Sequence, residues 1–163
     1  MEEDFVTVDV VTEIVIARPA EVVAGYAADP ANAPAWYDNI TSATWETGPP
    51  LRTGSRIAFT ARFLGRHLAY TYEITDFTPT KRLVMRTARG PFPMETTYTW
   101  QAIDDLSTRM TLRNRGEPAG FSKLAAPLMT IAVRHANRKG WLLYLGRLGL
   151  RVQGGDPGPD PNT

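Results

Sequence analysis

The chain has no cysteine and only two histidines, His67 and His135. The first absence excludes a disulfide framework, a thiolate nucleophile and thiolate metal ligands. With the two histidines on distant segments, no metal-ligating cluster forms in the sequence, and neither a metal nor any other cofactor is expected. No apolar run approaches the roughly 20 residues that a membrane span needs, so stable membrane insertion is not expected. The opening residues MEEDFVTVD are acidic, whereas a secretory signal starts with a basic stretch and continues with an apolar one. A cytoplasmic location is the expectation. A glycine-rich phosphate loop behind a strand is also missing, as is the strand–helix alternation that builds a parallel sheet.

What remains is enough for one core. A chain of 163 residues, 43% hydrophobic, buries a large interior without covalent staples. Residues 1–151 read as a single domain, and 152–163, ending in QGGDPGPDPNT, as a disordered tail. The net charge is +1 but unevenly spread. Residues 1–51 hold nine acidic residues against Arg18 alone, while 52–163 hold seventeen Lys and Arg against eight Asp and Glu. Such asymmetry can signal a nucleic-acid partner. Here the basic residues are dispersed along strands rather than clustered, so the two parts are expected to fold side by side, and no nucleic acid is expected.

Period-two alternation recurs along the chain. Residues 5–16 place Val6, Val8, Val10, Ile14 and Ile16 on one parity, with Asp9 and Glu13 on the other. Arg18-Pro19 ends that strand and opens a short helix whose buried side is Val22, Val23 and Tyr26, closed at Asp29-Pro30. A second short helix carries Trp36 and Tyr37. Six further strands follow over 40–46, 55–64, 67–77, 82–88, 94–103 and 107–115, separated by turn clusters such as Gly48-Pro49-Pro50 and Gly90-Pro91. In the fourth of these, Leu83 and Met85 point inward and Arg86 outward. One buried and one wet face in strand after strand describes an antiparallel meander. The outer arginines Arg56, Arg62, Arg86 and Arg113 are expected to pair across strands with Glu73, Glu95 and their neighbours.

Residues 121–150 carry the longest helical period. Winding them gathers Phe121, Leu124, Ala125, Leu128, Ile131, Ala132, Ala136, Leu142, Leu143 and Gly146 on one face. Pro127 lacks the N–H of a helix interior, so a short turn over 121–126 precedes a main helix starting at Pro127. Ala125, Ala132, Ala136 and Gly146 make a strip of small side chains, with His135 and Lys139 inside the same arc. That strip either lets a sheet approach closely or leaves room for a ligand, with His135 as a polar contact.

The order of elements, the VTEIVIARPAEVV start, Trp36, LRTGSRIAF after a Gly-Pro turn, RLVMRTARGPFP, and STRMTLRNRGEP leading into a helix resemble the START-like superfamily. That superfamily includes polyketide cyclases and the birch-pollen-allergen type. The resemblance implies an α+β helix-grip fold: a seven-stranded curved antiparallel sheet wrapped around a long C-terminal helix, with two short helices between strands 1 and 2. It also implies an internal cavity for a small hydrophobic ligand, lipid-like or aromatic polyketide-like. The candidate lining is Trp36, Phe59, Phe63, Tyr70, Tyr72, Met85, Tyr98, Trp100, Met110, Asn114, Leu128, Ala132 and His135. Binding or transport of such a ligand is the leading expectation, with cyclase or dehydrase action on it as one alternative and a protein-interaction role with a vestigial cavity as another. No catalytic residue is assigned; His135 is the one candidate for acid–base work. Arg134, Arg138 and Lys139 are a basic cluster suited to a ligand head group.

Overall fold

The computed structural model describes residues 8–37, 39–63 and 65–117. The readings for 121–150, including Leu128, Ala132, His135 and the basic cluster, and for the tail lie outside the described residues. Alternation produces seven strands: β1 (Val8–Ile16), β2 (Ile40–Trp45), β3 (Arg56–Phe63), β4 (Arg66–Thr78), β5 (Arg82–Arg89), β6 (Met94–Asp104) and β7 (Ser107–Gly116). They form one antiparallel sheet in the order β1-β7-β6-β5-β4-β3-β2. Consecutive strands from β2 to β7 are neighbours, as hairpin connections require. Gly65, at φ +74°, turns the chain so that Phe63 pairs with Arg66. That left-handed backbone favours a residue without a Cβ.

β1 and β2 lie at opposite edges of the sheet, so the chain between them must cross one face. It does so through α1 (Ala20–Ala28), a 3-10 turn (Pro30–Asn32) and the one-turn helix α2 (Ala33–Trp36). Pro19 caps α1, its carbonyl accepting from the N–H groups of Val22 and Val23 at 3.1 Å each. Asp29 ends α1 and starts the next turn by accepting from the Ala31 N–H at 3.0 Å. The buried side of α1 is Val23, Ala24 and Ala27, spaced i, i+1, i+4. Val22, expected inside, is 46% exposed because it lies one helical step, about 100°, off that face. Tyr26 is half-buried.

The core combines this helix with the inner parity of the sheet: Ile16, Ile57, Ile74, Leu83, Met110 and Leu112 are almost wholly inaccessible, as is Trp36. Each such aliphatic side chain contributes roughly 1.5–3 kcal/mol relative to exposure. Val84 is buried too, although it lies on the outer parity. β5 is the middle strand of seven, and the ion pairs Arg82–Asp76 and Arg86–Glu95 bracket Val84 along the outer face.

The charge asymmetry of the sequence becomes pairing across the outer face. Arg113 donates to both carboxylate oxygens of Asp9, at 2.9 and 2.7 Å, and holds that carboxyl below its usual pKa. Arg109 faces Glu13 at 3.2 Å, and Arg56 faces Glu73 at 3.3 Å. Glu46 accepts from both Arg89 and the buried Thr71.

Candidate functional site

The inner face of the sheet divides into two regions. Where β1 hands over to α1, Met110 pairs in register with Ile14 and Trp100, and the Thr108 hydroxyl donates to the Arg18 carbonyl at 2.8 Å. α1 packs on β6 and β7. Trp100 and Met110 are therefore core residues beneath this helix, and neither is among the residues that line the hollows described below. Trp36 belongs to the same core, its ring 5.8 Å from that of Tyr98.

Toward the other end of the strands the faces part. A hollow of about 110 Å³ is lined by Tyr37, Asn39, Ile40, Phe59, Ala61, Leu68, Tyr70, Tyr72, Met85, Thr96, Tyr98 and Asn114. Phe59, Tyr70, Tyr72, Met85, Tyr98 and Asn114 are thus brought together, as separate strands of one parity allow. Phe63 ends β3, and its side chain lies outside the described residues. Sequence reasoning passed over Tyr37, Asn39, Ile40, Ala61, Leu68 and Thr96 as lining. Inward parity on β3, β4 and β6 was a usable signal for Ala61, Leu68 and Thr96. For Tyr37 there was none: it follows α2 directly, with its N–H bonded to the Ala33 carbonyl, and only the helix end aims it at the hollow.

One wall is aromatic. The Phe59 and Tyr70 rings stack at 5.6 Å and 26°, and Tyr72 tilts against Tyr70 at 4.9 Å and 60°. The opposite part is a chain of hydrogen bonds running across four elements. Tyr72 on β4 spans β5 to meet the Thr96 hydroxyl at 3.0 Å. Thr96 donates to Asn114 Oδ1 at 3.0 Å, and Asn114 Nδ2 donates to the Tyr37 hydroxyl at 3.1 Å. Register makes this possible, because Thr96 lies opposite Asn114 on β7.

Loss of water raises the pKa of three of the four tyrosines on this hollow, Tyr37, Tyr70 and Tyr72. Tyr72 is pushed up to about 12 by burial, partly offset by its bond to Thr96. Burial also drives Tyr37 upward, against the Asn114 bond, and drives Tyr70 well above the ordinary tyrosine value. At neutral pH these phenols are protonated, neutral hydrogen-bonding groups. Among the described residues the lining holds no histidine, carboxylate or lysine.

A second, smaller hollow of about 20 Å³ lies under Ala27, Ala28, Pro30 and Ala33 and shares Phe59, Met85 and Tyr98 with the first. Those three side chains are the partition between the two. A depression of about 280 Å³ lined by Arg86, Glu95, Arg115 and Glu117 among others is open to solvent, and its Arg86 and Glu95 are paired with each other. The aromatic hollow, less open than this depression, is the better candidate for a ligand site, since such sites are concave, mostly apolar and carry a few placed polar groups.

Residues 7–142 match the protein family described as polyketide cyclase / dehydrase and lipid transport. No curated protein matches the chain in sequence. Solved structures match in fold. The Zhui aromatase/cyclase of a Streptomyces species superposes with a TM-score of 0.72 at 14% identity, over 88% of this chain and 94% of that one. A START superfamily protein of Mycobacterium smegmatis gives 0.74 at 13% identity, over 86% and 97%. A major latex-like protein of Panax ginseng gives 0.61 at 12% identity, over 82% and 95%. At these identities the likeness is one of fold.

Proposed function

Because the chain belongs to the polyketide cyclase / dehydrase and lipid transport family, we propose that it binds a small hydrophobic ligand in the aromatic hollow and serves as its carrier. The observation behind this reading is the pairing of an aromatic wall of Phe59, Tyr70 and Tyr72 with a hydrogen-bonded row of neutral groups around one hollow. The rings offer contact area to an apolar body, while the polar row accommodates a heteroatom. At about 110 Å³ the hollow admits about one ring. An apolar cavity of about 150 Å³ holds benzene, whereas drug-sized ligands occupy roughly 300–1,000 Å³. A longer ligand would extend beyond these walls.

Native mass spectrometry of freshly purified protein tests the reading directly, by showing whether a small molecule is retained. Ala61→Phe, which fills the hollow from β3, should abolish uptake of a fluorescent fatty acid or aromatic polyketide while the protein stays folded. Uptake equal to wild type would put the ligand elsewhere.

Cyclase or dehydrase action on such a ligand is the second reading. It is favoured by one feature, the phenols held protonated beside the hollow, since neutral donors stabilise a carbonyl that gains charge. Turnover of a poly-β-ketone surrogate would establish it; binding without conversion supports the carrier.

A further inference from the structure

The hydrogen bonds of the polar row run in one sense. Asn114 turns its Nδ2 to the Tyr37 hydroxyl at 3.1 Å, which leaves its Oδ1 toward Thr96 at 3.0 Å. A carbonyl oxygen can only accept, and a threonine hydroxyl has one proton to give. The Thr96 proton is therefore committed to Asn114. In the 3.0 Å contact between Thr96 and Tyr72, the donor must then be Tyr72. Among the described residues Thr96 is the only hydrogen-bond partner of the Tyr72 hydroxyl. The phenol has thus spent its proton, while its oxygen keeps the capacity to accept. Tyr72 and Thr96 are buried, and all four members of the row line the hollow, so an occupant of the hollow is the group placed to use that oxygen.

Resting on the ligand-binding reading above, we propose that the row presents the Tyr72 oxygen to the hollow as an acceptor, and that the hollow selects a ring-sized ligand carrying an O–H or N–H donor, a phenol rather than a ketone. The ligand's ring lies on the aromatic wall and its proton goes to Tyr72. A ketone of similar size gains the ring contact but sets its own acceptor against the Tyr72 oxygen, with no proton between them. Tyr70 and Asn39 also line the hollow; a phenol and a carboxamide each donate and accept, so neither imposes a sense of its own.

The test uses phenol, toluene and acetophenone, each titrated into the full-length ¹⁵N-labelled protein and its variants, with affinity read from amide shifts. Comparing one probe across proteins cancels its own solubility, and the amide spectrum reports whether each variant is folded. Tyr72→Phe should weaken phenol about 5- to 10-fold, the loss of one neutral hydrogen bond. Toluene and acetophenone should stay within about twofold. Thr96→Val removes the acceptor that holds the Tyr72 proton, so this phenol can now donate into the hollow, and acetophenone should tighten about 5- to 10-fold with toluene unchanged. If Tyr72→Phe weakens acetophenone as much as phenol, the row runs in the opposite sense and the inference fails, while the hollow remains a ligand site. Equal loss of all three probes, or of none, removes Tyr72 as the recognising group. Should Tyr72→Phe not fold, Thr96→Val decides alone, and unchanged acetophenone binding there overturns the inference. If wild type takes up no probe, the ligand-binding reading falls first and this inference with it.

Discussion

Gly90, just beyond the end of β5, lies against the root of the Tyr70 side chain on β4: a Cβ built on Gly90 would sit 2.9 Å from Tyr70 Cβ and 3.1 Å from Thr87 Cγ2. Tyr70 Cβ is tied to its own backbone and cannot swing aside, so either β4 or the end of β5 would have to move. Gly90→Ala should therefore destabilise the protein by about 1–3 kcal/mol and weaken ligand uptake by displacing the aromatic wall. Thermal melts and a binding titration of the variant check both. A variant as stable as wild type would show that this approach relaxes freely.

Thr96 is the joint of the polar row, bonded to both Tyr72 and Asn114 and 6% exposed. Thr96→Val keeps the shape and removes both bonds, leaving two enclosed groups unsatisfied. A loss of roughly 2–3 kcal/mol is expected, or on the order of 5–10 °C in melting temperature. Tyr72→Phe breaks only one of the bonds and should cost about half as much. Equal costs for the two variants would mean that the row does not act through Thr96.

Met85 stands between the two hollows, together with Phe59 and Tyr98. Met85→Ala should join them into one longer cavity reaching under α1. The cavity penalty is about 2–5 kcal/mol. In exchange, the variant should take up longer members of an alkylbenzene series that wild type excludes. An unchanged length cut-off in a competition assay would count against Met85 as the divider.

The raised tyrosines make stability depend on alkaline pH. The folded chain holds these phenolic protons more tightly than the unfolded chain, whose tyrosines titrate near 10. Their contribution is fully present below about pH 10 and is lost as the pH climbs through the folded value, about 12 for Tyr72. Within that window stability should fall by roughly 1.4 kcal/mol per pH unit for each such tyrosine. Denaturant melts between pH 9 and pH 11 measure the slope, and Tyr72→Phe should make it shallower by one proton.

The strands were legible in the sequence because each alternates strongly enough to state its own parity. SRIAFTARFL and METTYTWQAI needed no neighbour to show which residues face inward. The family resemblance likewise extended to the sheet and the two short helices. What no single strand states is which of its inward residues meet other elements. Trp36 and Tyr37 are adjacent, yet one fills the core beside Tyr98 and the other joins the polar row. Trp100 and Tyr98 share a parity, but Tyr98 lines the aromatic hollow and Trp100 is not among its walls. Thr96, a small polar residue in an aromatic strand, gains its role from the register that sets it opposite Asn114. Val84 shows the same limit from the other side: alternation marks it exposed, while its place in the middle strand buries it.

The pairing of β1 with β7 has a consequence for how the chain matures. From β2 onward every strand adds to the one made just before it, so those hairpins can zip up as they leave the ribosome. β1 is different: Asp9 waits for Arg113, 104 positions downstream. Until then Val8, Val10, Ile14 and Ile16 offer a bare apolar edge to any passing strand, and such long-range closure is slow and prone to aggregation. Assembly of this protein is thus finished by its beginning, and a nascent chain stalled short of residue 107 would be the form most in need of a chaperone.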